Sequence, residues 1–364
     1  MTTNTKAKKV FEFTPDYAVA PGQTLSEVIE SLNINQKQLA IRTGLTEQTI
    51  VRILKGEQPI SIETANRLEL VTGVPARMWN NLEMQYREQL SKIKQQNELT
   101  HDVDGLKKIP VRELIKRGAI PDIVDKVALL RETLKFYGVS SVAAWREVWT
   151  NPQVAARRSD CFETALEPAS AWIRLGELQA QQISCEPYNK QEFEKALRTI
   201  RTLTNWEPAE LVNEMRRLCA KAGVALALVR EISKVPWNGA TKWLAPDKAM
   251  ILLNLRGKGE DIYWFSFFHE ANHVLVGKKQ RLYVAETGST DDEEIKADRF
   301  AAETLIPAEF NQRIAAIKST TELQTLAKEL GICPGIVAGR FRFLTKKWTF
   351  FKELTRTFQW KDAK

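Results

Sequence analysis

Two histidines four residues apart, with a glutamate directly after the first, constrain this chain more than any other feature. In the segment WFSFFHEANHVLVG these residues are His269 and His273, and Glu270 follows His269. Apolar residues lie on both sides of this motif. At 3.6 residues per turn, positions i and i+4 lie on one face of a helix, so both imidazoles can bind one metal ion. The apolar flank, which includes Phe265 and Phe268, predicts a buried helix whose packing holds the two rings in place.

Glu270 has the residue type and the position of a general base. Zinc lowers the pKa of a water that it binds to about 7, and a neighbouring carboxylate can then accept the proton. The chain contains three histidines in all, so a chance pairing of this kind is on the order of one in a thousand. We therefore predict a Zn²⁺ site with His269 and His273 as ligands and Glu270 as the catalytic residue.

A third protein ligand is expected, because catalytic zinc usually has three. The stretch DDEEIKADRFAAETLIP places Glu294 and Asp298 four residues apart on a predicted helix that starts near Asp292. Glu294 can bind the metal, while Asp298 can accept a hydrogen bond from a ligand histidine and set its orientation. From the spacing alone, an acidic face exposed to solvent remains the alternative.

The order of these blocks resembles the ImmA/IrrE family of zinc metallopeptidases. The blocks are GATKWL, ILLNLRG, WFSFFHEANH and EEIKADRFAAETLIP, and they cover about residues 210–310. The family pattern after H-E-x-x-H is E-x-x-A-N/D-x-F-A-x-x-L-[LIM]-P, and this chain has one residue more before its Leu-Ile pair. The resemblance implies that Glu294 is the third ligand. It also shows one departure, since the family usually has Gly where this chain has Asn272.

A second motif lies near the N-terminus, where residues 36–56, QKQLAIRTGLTEQTIVRILKG, have the pattern of a helix-turn-helix. Leu39 and Ile50 are expected to face the core, and Gly44 allows the left-handed turn between the helices. The outer face of the second helix would then meet base edges and phosphates through Thr46, Glu47, Gln48, Thr49, Arg52 and Lys55. A hairpin that contacts only protein is the alternative, but it would not need Ala, Gly and Thr at these offsets.

The sequence around this motif, over about residues 20–90, resembles antitoxins of the HigA type. The resemblance implies that the chain binds its own operator DNA as a homodimer and that a toxin is a further partner. The charge agrees with dimerisation, because residues 1–100 hold 12 Lys and Arg against 11 Asp and Glu. A nearly neutral monomer neutralises few phosphates, so moderate affinity that depends on dimerisation is expected.

Composition places the chain among soluble globular proteins. Its 43% hydrophobic and 27% charged residues allow a real core. No apolar run approaches the roughly 20 residues of a membrane helix, and the N-terminus MTTNTKAKKVFEF has no apolar stretch like that of a signal peptide. The four cysteines stand far apart without a CxxC pair, which is typical of free thiols in a reducing compartment. A cytoplasmic protein without membrane contact is expected.

Hydrophobic periodicity and turn residues predict a mainly α, multidomain chain. The predicted organisation is a flexible arm (1–20), an all-α helix-turn-helix domain (21–90), a linker or exposed helix end (91–105), a helical middle region (106–210) and a C-terminal domain (211–364). In the last of these, GVALALVREI and AMILLNLRG read as strands, and NGATKWL can supply a third. The family resemblance implies an α+β, zincin-like metallopeptidase fold for that domain.

The sequence therefore predicts a DNA-binding transcriptional regulator fused to a zinc-dependent endopeptidase. The family resemblance implies that its substrate is a repressor protein, and because a repressor-like domain is part of the same chain, the substrate can be the chain itself, cleaved near residues 91–105. The alternative is a non-enzymatic HigA-type antitoxin and autorepressor whose C-terminal domain senses a ligand or binds a toxin.

Overall fold

The structure of this chain is a computed structural model, which describes residues 17–150, 166–276, 282–284 and 292–361. Most of the predicted flexible arm, residues 1–16, and Cys161 lie outside these described residues. The chain divides into two compact units, Met1–Val103 and Asp104–Lys364. Each unit has its own hydrophobic core, so each can be described by itself.

The first unit is all α. Its helices are α1 (Pro21–Ser31), α2 (Gln36–Thr43), α3 (Glu47–Leu54), α4 (Ile62–Thr72) and α5 (Ala76–Asp102). Their apolar faces meet in one core, in which Leu25, Leu39, Ile50, Leu68 and Trp79 are fully buried. The burial of Leu39 and Ile50 confirms the helix-turn-helix pattern read from the sequence.

Local hydrogen bonds define the ends of α2 and α3. The Asn35 side chain accepts a hydrogen bond from the Gln38 backbone N–H, and the Gln38 side chain in turn accepts from the Asn35 N–H, which is a capping box. Gly44 ends α2 with φ of 67°, in the left-handed region that glycine adopts most readily. Thr46 Oγ1 accepts from the Thr49 N–H at 3.1 Å and so caps α3.

The predicted linker is largely helical. Residues 91–102 continue α5, which is mostly exposed in this part, and a 3₁₀ turn follows at Val103–Lys107. Residues 91–102 thus form a mostly exposed end of α5. No Gly or Pro interrupts residues 76–102, so the helix continues past the polar stretch.

The second unit is a small mixed sheet between helices. The sheet has the order β1-β3-β2-β4, with β1 (Val224–Leu228) parallel to β3 (Lys248–Leu253). The strand β2 (Gly239–Ala245) runs antiparallel to β3 and to the short β4 (Leu282–Val284). The three predicted strands are confirmed, and β4 is an addition to them.

The helices of this unit are α6 (Val111–Lys116), α7 (Lys126–Tyr137), α8 (Val142–Thr150), α9 (Leu166–Gln181), α10 (Lys190–Thr202), α11 (Pro208–Lys221), α12 (Glu260–Val276), α13 (Asp292–Leu305), α14 (Asn311–Ala315), α15 (Thr320–Leu330) and α16 (Pro334–Thr345). Short 3₁₀ helices lie at Leu203–Asn205, Ala308–Phe310 and Lys352–Leu354. Together with the first unit, these elements confirm the predicted class: a helix-turn-helix region, a helical middle and a C-terminal α+β region.

Alternation along the strands builds a core on each face of the sheet. Leu226 and Ile251 face one core, which also contains α11 and α12. Ala227 and Leu252 face the other, which contains Trp172 of α9 and the helices before it. The helical middle region predicted for 106–210 therefore packs on the same sheet as the C-terminal region.

Among the described residues, no helix combines the length and the apolar character that a membrane crossing requires. Three of the four cysteines are described, and all three are free thiols, with Cys219 and Cys333 buried.

Candidate metal centre and DNA-binding helix

The helix α12 carries the two motif histidines in a buried environment. It packs against β2, β3, α13 and α16. His269 is 2% exposed, His273 is 1% exposed and Glu270 is fully buried. An apolar helix of this kind is held by side chains on several of its faces, so the positions of its few polar residues are set by packing.

Glu294 meets both histidines from the next helix. The Nε2 atoms of His269 and His273 are 3.1 Å apart. One Glu294 oxygen lies 3.0 Å from His269 Nε2, and the other lies 3.3 Å from His273 Nε2. Zinc–nitrogen bonds are about 2.0–2.1 Å long, so two ligand atoms at a tetrahedral angle are about 3.3 Å apart. The three donors therefore stand at the spacing that a tetrahedral metal site requires.

Asp298 orients the first histidine. Its Oδ1 atom lies 2.8 Å from His269 Nδ1. Because a carboxylate oxygen can only accept, the Nδ1–H of His269 donates to Asp298, and the Nε2 atom points towards His273 and Glu294. Asp298 is thus one turn beyond Glu294 on α13 and supports the same group of residues.

The electrostatics of this group favour positive charge at its centre. Burial would lower the pKa of His269, but hydrogen bonds to the carboxylates of Asp298 and Glu294 outweigh it and raise the pKa to about 10. Burial would raise the pKa of Glu294, but its hydrogen bonds with the two histidines lower it to about 2. Two buried imidazoles and the partly buried Glu294 carboxylate suit a divalent cation, which compensates charge that is costly to bury alone. The residues present therefore fit a zinc ion.

The Glu270 side chain contacts strand β2 of the sheet. Its Oε2 accepts a hydrogen bond of 2.6 Å from the Thr241 hydroxyl of β2, and Thr241 is fully buried. Burial raises the pKa of Glu270, although the nearby histidines act in the opposite direction. Its other oxygen, Oε1, is buried and has no hydrogen-bond partner among the described residues. One oxygen of Glu270 is therefore held in place by the strand, and the other is buried beside Gly239.

Gly239 allows this approach of helix and strand. A Cβ atom at Gly239 would lie 2.7 Å from Glu270 Cγ and from Oε1, closer than real contacts of this kind. Neither Gly239 nor Thr241 was given a role from the sequence, although both lie in the GATKWL block. A hydroxyl in a strand that is otherwise mostly apolar is the signal that would have pointed to Thr241.

Asn272, the departure from the family pattern, is 5% exposed. Its Nδ2 atom has no hydrogen-bond partner within the part of the chain that the structure describes. The rings on either side converge on Glu294 nevertheless, so the asparagine does not prevent the geometry of the site.

The predicted DNA-contacting residues lie on α3 in the first unit and at its two ends, with Thr46 just before the helix and Lys55 just after it. Glu47, Gln48, Arg52 and Lys55 are exposed. Thr49 is half-buried and Thr46 is exposed, and their hydroxyls lie 2.8 Å apart at the helix start. The structure thus leaves four side chains directed to solvent, and it uses the two threonines at least partly for capping.

A buried helix with H-E-x-x-H and a carboxylate from the next helix is the arrangement of zinc-dependent peptidases, and a short exposed second helix after a glycine turn is that of DNA-binding helix-turn-helix domains. Comparison with known families supports a peptidase-like domain for the first arrangement and a helix-turn-helix for the second. Residues 25–79 match a family described as "Helix-turn-helix". Residues 227–342 match a peptidase family described as "IrrE N-terminal-like domain". A search of curated proteins found no match to the chain.

These matches identify a helix-turn-helix domain of the DNA-binding type and a peptidase-like domain in one chain. The second match includes His269, Glu270, His273, Glu294 and Asp298 within its bounds. The class of protein is therefore a DNA-binding regulator that carries a peptidase-like domain.

Proposed function

We propose that this protein is a transcriptional regulator whose C-terminal domain is a zinc-dependent endopeptidase acting on a repressor protein. The single observation that supports the peptidase is the convergence of His269, His273 and Glu294, whose ligand atoms all lie within 4.8 Å of one another. Glu270 lies on the same helix as the two histidines, with one oxygen held by Thr241 and the other without a hydrogen-bond partner among the described residues.

In this proposal His269, His273 and Glu294 would hold Zn²⁺. When bound, the ion would supply Lewis-acid polarisation of the peptide carbonyl and a lower pKa for water. Glu270 takes a proton from the attacking water as the water oxygen bonds to the carbonyl carbon. It then delivers this proton to the amide nitrogen as the carbon–nitrogen bond breaks. Thr241 holds the Glu270 carboxylate in position, and Asp298 keeps His269 in the tautomer that can bind metal.

The substrate proposed is a repressor, either a separate protein or this chain. For cleavage within residues 91–102, α5 would have to unwind locally, because a helical peptide bond has its N–H and C=O groups in internal hydrogen bonds. An inducer that loosens this end of α5 would therefore control self-cleavage.

The decisive experiment combines metal content with cleavage. Purified chain should contain close to one zinc per molecule by mass spectrometry, and Glu270→Gln should contain the same amount. On incubation with Zn²⁺ and candidate repressors, intact mass should show cleavage by the native chain and none by Glu270→Gln. A chain that binds no zinc would contradict the peptidase and favour the non-enzymatic HigA-type antitoxin. Zinc with no difference between the two proteins would contradict the role of Glu270.

For the first unit we propose operator DNA as the partner, bound by a homodimer through α3, with a toxin as the further partner that the HigA resemblance suggests. Arg52→Ala and Lys55→Ala should each weaken binding to DNA upstream of the chain's own gene, because each removes an exposed cation on α3 or at its C-terminal end. A tenfold loss in a mobility-shift titration is expected. Lys94→Ala, on the exposed part of α5, is the matched control and should bind like the native chain.

A further inference from the structure

A cavity of about 580 Å³ opens directly beside the metal centre. His269 and Asp298 lie on its wall, so the cavity and the proposed catalytic site share residues. The remaining wall comes from Asn238 just before β2, from the first half of α12, and from the second half of α13 with Ile306 after it. The helix α16 and the residues that follow it complete the wall. A substrate that reaches the metal centre therefore has this cavity next to it.

The cavity wall is mainly apolar. Leu305, Ile306 and Ile336 are buried, at 4%, 1% and 4% exposure. Phe343 and Trp348 are each 58% exposed although both line the cavity. Large apolar side chains left exposed beside a functional site indicate a surface that binds another apolar group.

The charged groups of the wall are already engaged within the chain. Asp261 pairs with Arg342 at 2.8 Å. Arg340 donates to the backbone carbonyls of Ala302 and Ile306, at 2.7 and 3.2 Å. An apolar occupant can therefore enter without leaving a buried charge unpaired, whereas a charged occupant would find few free partners.

We propose that this cavity is the specificity pocket of the peptidase and that it binds a bulky apolar side chain, such as Leu, Met or Phe, next to the bond to be cleaved. This inference rests on the proposed peptidase function and adds the substrate class to it. The cavity volume falls within the range of about 300–1,000 Å³ that is usual for ligand sites. It leaves room for the side chain together with its neighbouring backbone.

The exposed aromatic residues do not favour nucleic acid as the occupant. The ammonium group of Lys346 lies 4.3 Å from the ring centre of Phe343 and 5.8 Å from that of Trp348. Each ring therefore already has a cation over one face, where a base would need to stack. The surfaces of Phe343 and Trp348 that line the cavity remain available for contact with an apolar side chain.

The test uses the zinc-loaded full chain and a fluorogenic peptide library in which each position in turn carries every amino acid. The native chain should cleave peptides with Leu, Met or Phe at one position beside the cleaved bond at least tenfold faster than those with Ala there. Ala302 lines the cavity from α13, and Ala302→Phe would fill it. This variant should reduce the ratio of kcat/KM values between Leu and Ala peptides at least tenfold.

Two further variants keep the test decisive if Ala302→Phe fails to fold. Phe343→Ala removes an exposed wall residue and should lower the same ratio about fivefold or more. Ala315→Phe makes the same change as Ala302→Phe on an exposed position of α14, and should leave the ratio unchanged. A native enzyme without apolar preference, or a ratio unaffected by both cavity variants, would overturn the inference while leaving the peptidase proposal intact.

A binding measurement separates the two proposals if no peptide is cleaved. Labelled library peptides should bind Glu270→Gln, with the Leu, Met and Phe peptides at least tenfold tighter than the Ala peptides, and Ala302→Phe introduced in that background should abolish the difference. Absence of cleavage together with this binding pattern would contradict the peptidase and support the pocket. Equal binding of all peptides, or displacement of the peptides by a single-stranded oligonucleotide, would overturn the pocket.

Discussion

At the scale of single residues, the site depends on partners that hold the chemical groups as much as on the groups themselves. The Thr241 hydroxyl contacts Glu270 twice, at 2.6 Å from Oε2 and 3.0 Å from the backbone carbonyl oxygen, and Asp298 accepts from His269. Neither is a ligand or a base in the proposed reaction. Both fix the direction of a side chain, and a base or ligand must be directed correctly before its pKa matters.

Thr241→Val should lower kcat about tenfold or more while the zinc content stays the same. Valine has nearly the same shape as threonine, but it lacks the hydroxyl that donates a hydrogen bond to Glu270 Oε2 at a distance of 2.6 Å. A hydrogen bond to a charged group contributes about 1.5–3 kcal/mol, and its loss leaves the carboxylate free to rotate. Thr241→Ser keeps the hydroxyl and should retain most of the activity. If valine and serine behave alike, the hydroxyl has no part in positioning Glu270.

Asp298→Asn should weaken zinc binding by about 10- to 100-fold, the usual effect of losing a residue that supports a ligand histidine. The asparagine amide oxygen is uncharged, so it accepts the hydrogen bond from His269 Nδ1–H more weakly than the carboxylate does. Competition with a chelator of known affinity measures this. Asp292→Asn is the matched control, since Asp292 is exposed at the start of the same helix. An unchanged affinity for Asp298→Asn would show that His269 is oriented by packing alone.

At the scale of elements, close approach between backbones determines how the first unit packs. A Cβ atom at Gly22 of α1 would lie 2.3 Å from the Leu54 carbonyl oxygen and 2.4 Å from that of Ile53, at the end of α3. Both contacts are with backbone atoms, which cannot move aside as the end of a side chain can. The packing of α1 against the proposed recognition helix therefore requires a glycine at this position.

Gly22→Ala should destabilise the first unit by about 2 kcal/mol, because overpacking at a contact of this kind costs about 1–3 kcal/mol. It should also weaken operator binding, since α3 would be displaced. The unfolding transition of the first unit in a chemical denaturant gives the change in its free energy of unfolding. Gln23→Ala alters the next residue, whose side chain is exposed, and should have little effect. Equal stability for Gly22→Ala would mean that α1 can shift without loss.

The element that carries the proposed catalytic residues also shows where periodicity misleads. The apolar flank of H-E-x-x-H predicted a buried helix, and Trp264, Phe267 and Phe268 are indeed fully buried. Phe265 is 36% exposed, because its side of α12 faces the cavity and not the core. Hydrophobic pattern predicts that a residue avoids water, but it does not distinguish a core from a binding cavity.

At the scale of the whole molecule, the two units have separate cores. A ligand that binds one unit alone should stabilise that unit alone. The proposed zinc ion joins α12 to α13, which are neighbouring helices of the second unit. Metal binding should therefore be visible as a change in one unfolding transition of two.

Removal of zinc by a chelator should lower the melting temperature of the second unit by roughly 10 °C and leave that of the first unchanged. Free zinc at about 1,000 times its Kd stabilises by about 4 kcal/mol, and each kcal/mol corresponds to about 2–4 °C in a unit of this size. Scanning calorimetry with chelator, and then with added Zn²⁺, measures the effect and its reversal. A shift of both transitions, or of neither, would count against a zinc site confined to the second unit.

The sequence by itself determined the features that depend on short spacing. His269 and His273 share a helix face because four residues make about one turn, and Leu39, Gly44 and Ile50 follow from the same local rules in the helix-turn-helix. Glu294 was a candidate from its spacing with Asp298, and the family resemblance favoured it as the third ligand. Local spacing alone does not bring a residue 21 positions beyond His273 to the same point.

Only the tertiary structure decided what lies between distant segments. It placed Thr241 and Gly239 against Glu270, packed residues of the helical middle on the second face of the sheet, and formed a cavity beside His269 from three helices. These contacts join residues that are tens of positions apart, and many different sequences could satisfy each of them. Local periodicity predicts which face of a helix or strand avoids water. Which other element packs against that face depends on the packing of the whole unit.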